Sequence, residues 1–307
     1  MVEVRIRITP ENAEKIMQLL KELIKSDTES TVIIDTTNVP QSVVKKTQAN
    51  YLSVPPALDG LPNAKTLNTR ESSLVGSWGQ FNSFFPIKAV LRVLAHMMHE
   101  NNQEPVSLQS LVDSSVSAFK EAGLLKYRGF PKRAKKESAI GRLVWHFMGT
   151  AHGMGLIDVE GHVEIPARGW DETHVSITKE GLEFAALENR LLDRNEKEQI
   201  LTDSESKWII SYLKRIDSEG YREYSFLTKI FEQIKQGNTN VAAWLEESES
   251  FNDYLKSWSS KQENPKEFKK QLWNVAVMFA QSKIALLREL GMVKNRRNDY
   301  TIMRNLE

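Results

Sequence analysis

Two stretches of this chain leave a helix in the same manner, and that repetition constrains the fold more than any other feature. The first, HGMGLIDV at 152–159, passes from an apolar-periodic run into Gly155 and then the apolar pair Leu156 and Ile157. The second, LLRELGMVKNRRNDYTIM at 286–303, stops at Gly291, enters Met292 and Val293, turns through a cationic tip and returns as Tyr300 to Met303. Glycine just after the last periodic residue ends a helix because it takes a left-handed backbone at no steric cost. Short apolar runs on either side of a polar turn read as a hairpin. Helix, glycine, apolar pair, hairpin thus occurs twice, and each copy supports the reading of the other.

A chain of 307 residues has room for two or three modest domains, and 40% hydrophobic residues suffice for packed cores. The absence of cysteine excludes disulfides, thiolate metal sites and cysteine nucleophiles, and fits a reducing cytoplasm. No apolar run approaches the roughly 20 residues that span a bilayer. The opening MVEVRIRITPENAEK has neither the apolar core nor the cleavage pattern of a signal peptide. A soluble cytoplasmic protein with no membrane partner is expected.

Val2 to Ile8 alternates apolar and charged residues and reads as a half-buried strand. Thr9, Pro10 and Glu11 are helix-start residues, and Ala13, Ile16, Met17, Leu20, Leu23 and Ile24 form a helical stripe. STVIID at 30–35 reads as a second strand. This β-α-β element at 1–37 is too small to stand alone. It either adds to the next core or pairs with a second copy, and of the two a homodimer is expected. Residues 38–83, with Pro40, Pro55, Pro56 and Pro62, read as a linker or extended arm on which Tyr51, Leu52, Trp78 and Phe81 are able to dock.

Helical periodicity then returns at 84–100, 107–126 and 136–153. In the last of these, Ile140, Leu143, Val144, Phe147 and Ala151 share one face, and Ser138, Arg142, Trp145 and Gly149 the other. β-like runs at 156–159 and 175–177 flank a turn-rich stretch, and Thr178 caps a helix expected over 179–192. The last third repeats the order with helices at 204–217, 224–235 and 268–290. An acidic helix at 241–258 is expected as an insertion between them. The expected fold is mainly α with small β-wings, with domains at 84–200 and 201–307.

HGMGLIDV…HVSITKEGLEFAAL resembles the end of a winged-helix domain of the kind found in many bacterial and archaeal regulators. The matching positions are Gly155, Leu156, Ile157, Ile177, Thr178 and Gly181, and the likeness covers about 84–192. The ending at 286–303 resembles a second copy. The resemblance implies two winged-helix domains and a helix-turn-helix that meets DNA. One departure is the loop before the expected recognition helix, which is longer than a tight helix-turn-helix turn and changes the docking geometry.

The chemistry rests on where charge sits. The formal net charge is +1, so no global cationic field attracts nucleic acid, and binding must come from local clustering. Lys126, Arg128, Lys132, Arg133, Lys135 and Lys136 fall within eleven positions just before the helix at 136–153. Cations and backbone amides at a helix start neutralise phosphate, although a solvated loop has the same composition. Arg142, with Ser138, lies on the polar face where arginine can bind guanine bidentately; an ordinary surface arginine looks the same. Lys294, Arg296 and Arg297 occupy the second wing tip, which can lie along a backbone or be a plain turn.

Enzymatic readings are weaker. Phosphate-binding glycine loops and the nucleophile elbow are absent, and His96, His99, His146 and His152 lack a zinc-protease spacing. No enzyme activity and no cofactor are expected. The leading expectation is a double-stranded DNA-binding protein, either a transcriptional regulator or a DNA-organising factor. The alternative is a protein-interaction adaptor in a larger assembly, with the acidic helix at 241–258 facing a basic partner.

Overall fold

The computed structural model describes residues 4–7, 32–35, 48–63, 83–127, 137–160, 170–196, 201–218, 222–258, 264–296 and 299–304. The chain divides into two compact units, Met1–Gln48 and Ala49–Glu307. In the first, β1 (Val4–Arg7) and β2 (Val32–Asp35) pair in parallel, with Val4 opposite Val32 and Arg7 opposite Asp35. A parallel pair needs a crossover between its strands, and the helix expected there lies outside the described residues.

The second unit is mainly helical, with small antiparallel strands. Its first helices are α1 (Phe84–Glu100), α2 (Leu108–Glu121) and α3 (Glu137–Gly153). Residues 84–95 of α1 are all buried, so this helix is a central strut rather than a surface element. β3 (Val106–Ser107), β4 (Ile157–Val159) and β5 (His174–Ile177) form a sheet in the order β3-β5-β4. Val175 sits opposite Val106 on one side and Val159 on the other, which places all three apolar side chains in the core.

Thr178 caps α4 (Lys179–Ala186) by accepting a hydrogen bond from the Gly181 amide. The helix expected to run to 192 stops at Ala186. Asn189 then caps a separate short helix, α5 (Arg190–Arg194), accepting from the amides of Leu191 and Leu192.

Helices α6 (Asp203–Ser218), α7 (Glu223–Lys235), α8 (Val241–Glu247), α9 (Glu249–Trp258) and α10 (Pro265–Glu289) follow. Asn264 caps α10 with Pro265 in its first turn, and the helix leads into the hairpin of β6 (Val293–Arg296) and β7 (Asp299–Ile302). The acidic 241–258 segment is neither one helix nor a peripheral insertion. It breaks at Ser248, and Val241, Leu245, Phe251, Tyr254 and Leu255 are buried. Phe251 and Tyr254 form an aromatic cluster with Phe226 of α7 and Phe279 of α10. Acidic residues mark only its outward face.

The two helix terminations have one geometry. The Leu156 amide donates to Ala151 O at 2.8 Å, and the Gly155 amide to His152 O at 2.8 Å. The Met292 amide donates to Leu287 O at 2.9 Å, and the Gly291 amide to Arg288 O at 3.0 Å. With φ of +69° at Gly155 and +68° at Gly291, both are Schellman turns. In each case the strand emerges at once from the turn and is met by the returning chain, as Thr178 N to Leu156 O and Met303 N to Met292 O.

Buried charge joins the helical halves. Lys88 Nζ on α1 reaches Glu205 Oε1 on α6 at 2.7 Å and Leu187 O at 2.7 Å. One turn on, Arg92 holds Asp193 through two hydrogen bonds of 2.6 and 2.8 Å and also donates to Ala185 O, Leu52 O and Leu187 O. All five of its N–H donors are thereby used. The bond to Leu52 O fastens the 3-10 turn Gln48–Leu52 to the core, where Leu52 and Leu58 are buried. This part of the expected arm is docked.

Candidate nucleic-acid interface

The first expected site is the cationic run before α3. Lys126 is exposed, with Nζ 5.2 Å from the Tyr127 ring centre. Tyr127 packs edge-on against Phe85 and donates its amide to Leu124 O, so it is fastened to the core. Arg128, Lys132, Arg133, Lys135 and Lys136 lie outside the described residues. Ser138 falls in the first turn of α3, of which only the backbone is described.

Arg142 is exposed on α3, while Val144, Phe147, Met148 and Ala151 are buried behind it. The split agrees with the expected faces and leaves the Arg142 guanidinium on the outward side. Trp145 is half-buried against the core and meets the His146 ring at 4.8 Å. It is a packing residue with one solvent-facing edge.

At the second hairpin Lys294 is exposed on β6. Arg296 closes that strand opposite Asp299, with only its backbone described, and Arg297 lies outside the described residues.

A cationic surface not anticipated from the sequence lies on α10. Lys266, Lys269 and Lys270 are exposed along its first turns, and Trp273, one turn further, is 42% exposed. Among the described residues no acidic group lies within ion-pair distance of these lysines. Helical spacing sets Lys266, Lys270 and Trp273 in one stripe. The signal was legible: PKEFKKQLW places three lysines and a tryptophan at positions that the apolar stripe Phe268, Leu272, Val275 and Phe279 leaves for solvent.

Two of the histidines are held by contacts within the core or against a neighbouring ring. His152 is buried, with Nδ1 3.2 Å from Ile157 O, and His96 stacks on Tyr51. Among the described residues no three His, Asp or Glu side chains converge to hold a metal. No described helix is long and apolar enough to cross a membrane.

No protein-family model, curated protein or solved structure matches this chain.

Proposed function

We propose that this chain is a non-enzymatic double-stranded DNA-binding protein built on tandem winged helices, acting as a transcriptional regulator or DNA-organising factor. One observation carries the reading. The two helices that run into a Schellman-stopped hairpin, α3 and α10, both turn cations outward: Arg142 on the first, and Lys266, Lys269 and Lys270 on the second. The order α1, β3, α2, α3, β4, β5, with β5 central in its sheet, is the order in which a winged helix places its recognition helix third.

Phosphate contacts from Lys126 to Lys136 and from the α10 lysines would supply affinity, and Arg142 any guanine reading. Lys294, Arg296 and Arg297 would extend the footprint along the second wing. The β-α-β unit would pair two copies into a cytoplasmic homodimer and double the site.

Random duplex DNA in a mobility shift at low salt tests the reading: a retarded complex is expected. Replacing Lys132, Arg133, Lys135 and Lys136 with alanine should flatten the salt dependence of binding. A protein that leaves duplex DNA unshifted would instead be an adaptor. That reading is favoured by the exposed acids Glu247, Glu249 and Asp253 on α8 and α9, which suit a basic protein partner.

A further inference from the structure

We propose that the groove between α2 and α3 is a small-molecule site for a flat aromatic acid that also carries a hydrogen-bond donor, such as a hydroxylated bicyclic carboxylate. The groove holds about 820 Å³. Small-molecule pockets run from about 300 to 1,000 Å³, with mostly apolar walls and a few placed polar groups.

Val112 and Val116 of α2 line its apolar side, and two indoles, Trp145 of α3 and Trp170 just before β5, also line it. Aromatic walls of this kind favour a planar ring, which gains offset or edge-on packing as well as burial. Two charges of opposite sign are among the described lining residues, Arg142 on α3 and Asp113 on α2. Arginine binds a carboxylate in a fork. Asp113 Oδ1 already accepts from Gln109 Nε2 at 2.9 Å, which steadies the carboxylate while leaving its other oxygen to accept from a ligand. A ligand with an acid alone would meet Asp113 as a like charge. A donor on the far side of the ring turns that repulsion into a hydrogen bond.

His146 also lines the groove, and burial, with Arg142 beside it, holds its imidazole below the usual range. Arg142 is the one permanently charged cation among the described lining residues. The site stands whether or not the chain binds DNA. Should it bind, an occupied groove would engage Arg142 and withhold it from a base.

The test is isothermal titration of the full chain, without DNA, with three probes: 6-hydroxy-2-naphthoate, 2-naphthoate and 2-naphthol. The hydroxy acid should bind at least about tenfold more tightly than either compound lacking one group, as loss of a charge-assisted hydrogen bond implies. Arg142→Gln should reduce the hydroxy acid to the affinity of 2-naphthol, and Asp113→Asn should remove its advantage over 2-naphthoate. Both positions are exposed, so the fold should survive these changes. Ser117→Trp, at a half-buried lining position, should fill the groove and abolish binding. No measurable binding, or binding indifferent to Arg142→Gln and Ser117→Trp, overturns the site. Equal affinity for the hydroxy acid and 2-naphthoate overturns the donor requirement.

Discussion

Lys88 Nζ lies 2.7 Å from Glu205 Oε1, and neither side chain is exposed to solvent. The pair spans α1 and α6, and Glu205 is held further by Asn189 Nδ2, the Thr202 amide and the Thr202 hydroxyl. Burial pulls the Lys88 ammonium down to about 8 against the attraction of Glu205, which still leaves it charged at neutral pH. Removing one partner strands the other charge in the core. Lys88→Met is expected to lower the unfolding free energy by about 3–5 kcal/mol. Lys88→Met with Glu205→Leu should recover a substantial part. Denaturant unfolding of the three proteins measures this, and an additive double variant would mean the two charges do not act as a pair.

Gly181 is required by close approach rather than by backbone angle. A Cβ there would stand 2.0 Å from Leu156 O, a backbone atom at the start of the returning strand pair. Gly181→Ala should therefore force α4 away from the Schellman turn and cost about 1–3 kcal/mol or more. Gly149 on α3 is the control. A Cβ there meets nothing within 4 Å, so Gly149→Ala should be neutral or stabilise by about 0.5–1 kcal/mol. Thermal melts with the opposite ranking would contradict the packing at Leu156.

Tyr51 donates its hydroxyl to Glu100 Oε2 at 2.6 Å. Burial first, then the hydrogen bond and charge of Glu100, pushes its phenol up to about 12 from an ordinary 10.0. The folded value lies above the unfolded one, so this contribution to stability is whole below pH 10.0 and is lost as pH rises through about 12. Ultraviolet titration should include a late-ionising phenol that Glu100→Gln brings earlier. A titration curve unmoved by that substitution would detach Tyr51 from Glu100.

The lysines of α10 give the DNA reading an independent check. Lys266, Lys269 and Lys270 replaced together by alanine should reduce the slope of log affinity against log salt by up to about 3, close to one unit for each phosphate no longer neutralised. Being exposed, they should leave the melting temperature within a few degrees of the parent. Weakened binding with an unchanged slope would take them out of the phosphate-binding surface.

The features legible in the sequence were those whose cause is local. Gly155 and Gly291 follow from backbone sterics at a helix end, and Thr178 from capping, so neither needed knowledge of distant residues; the close approach of Gly181 to Leu156 O, 25 positions earlier, shows only in the folded chain. β3 escaped because two residues show no period; it exists through its pairing with β5. The 241–258 segment misled because its outward acids dominate its composition, while Phe251 and Tyr254 belong to a cluster completed by Phe226 and Phe279. Lys88 and Arg92, four residues apart in an apolar run, carried a signal of their own. Charges on a helix buried all round require buried partners, and these came from Glu205 and Asp193 more than a hundred positions later. In the candidate interface Arg142 fell on the outward face as its spacing implied, whereas the α10 stripe was masked by the more obvious cation cluster of the hairpin beyond it.

The amide of Phe84, which opens α1, donates to Glu289 at the end of α10, 205 positions downstream. During synthesis on the ribosome, α1 therefore waits for its last support until nearly all of the described chain has emerged. A nascent chain halted between α5 and α6 would hold Lys88 without its carboxylate and Phe84 without an acceptor. Each helical half thus supplies the other with partners for polar groups that burial would otherwise strand.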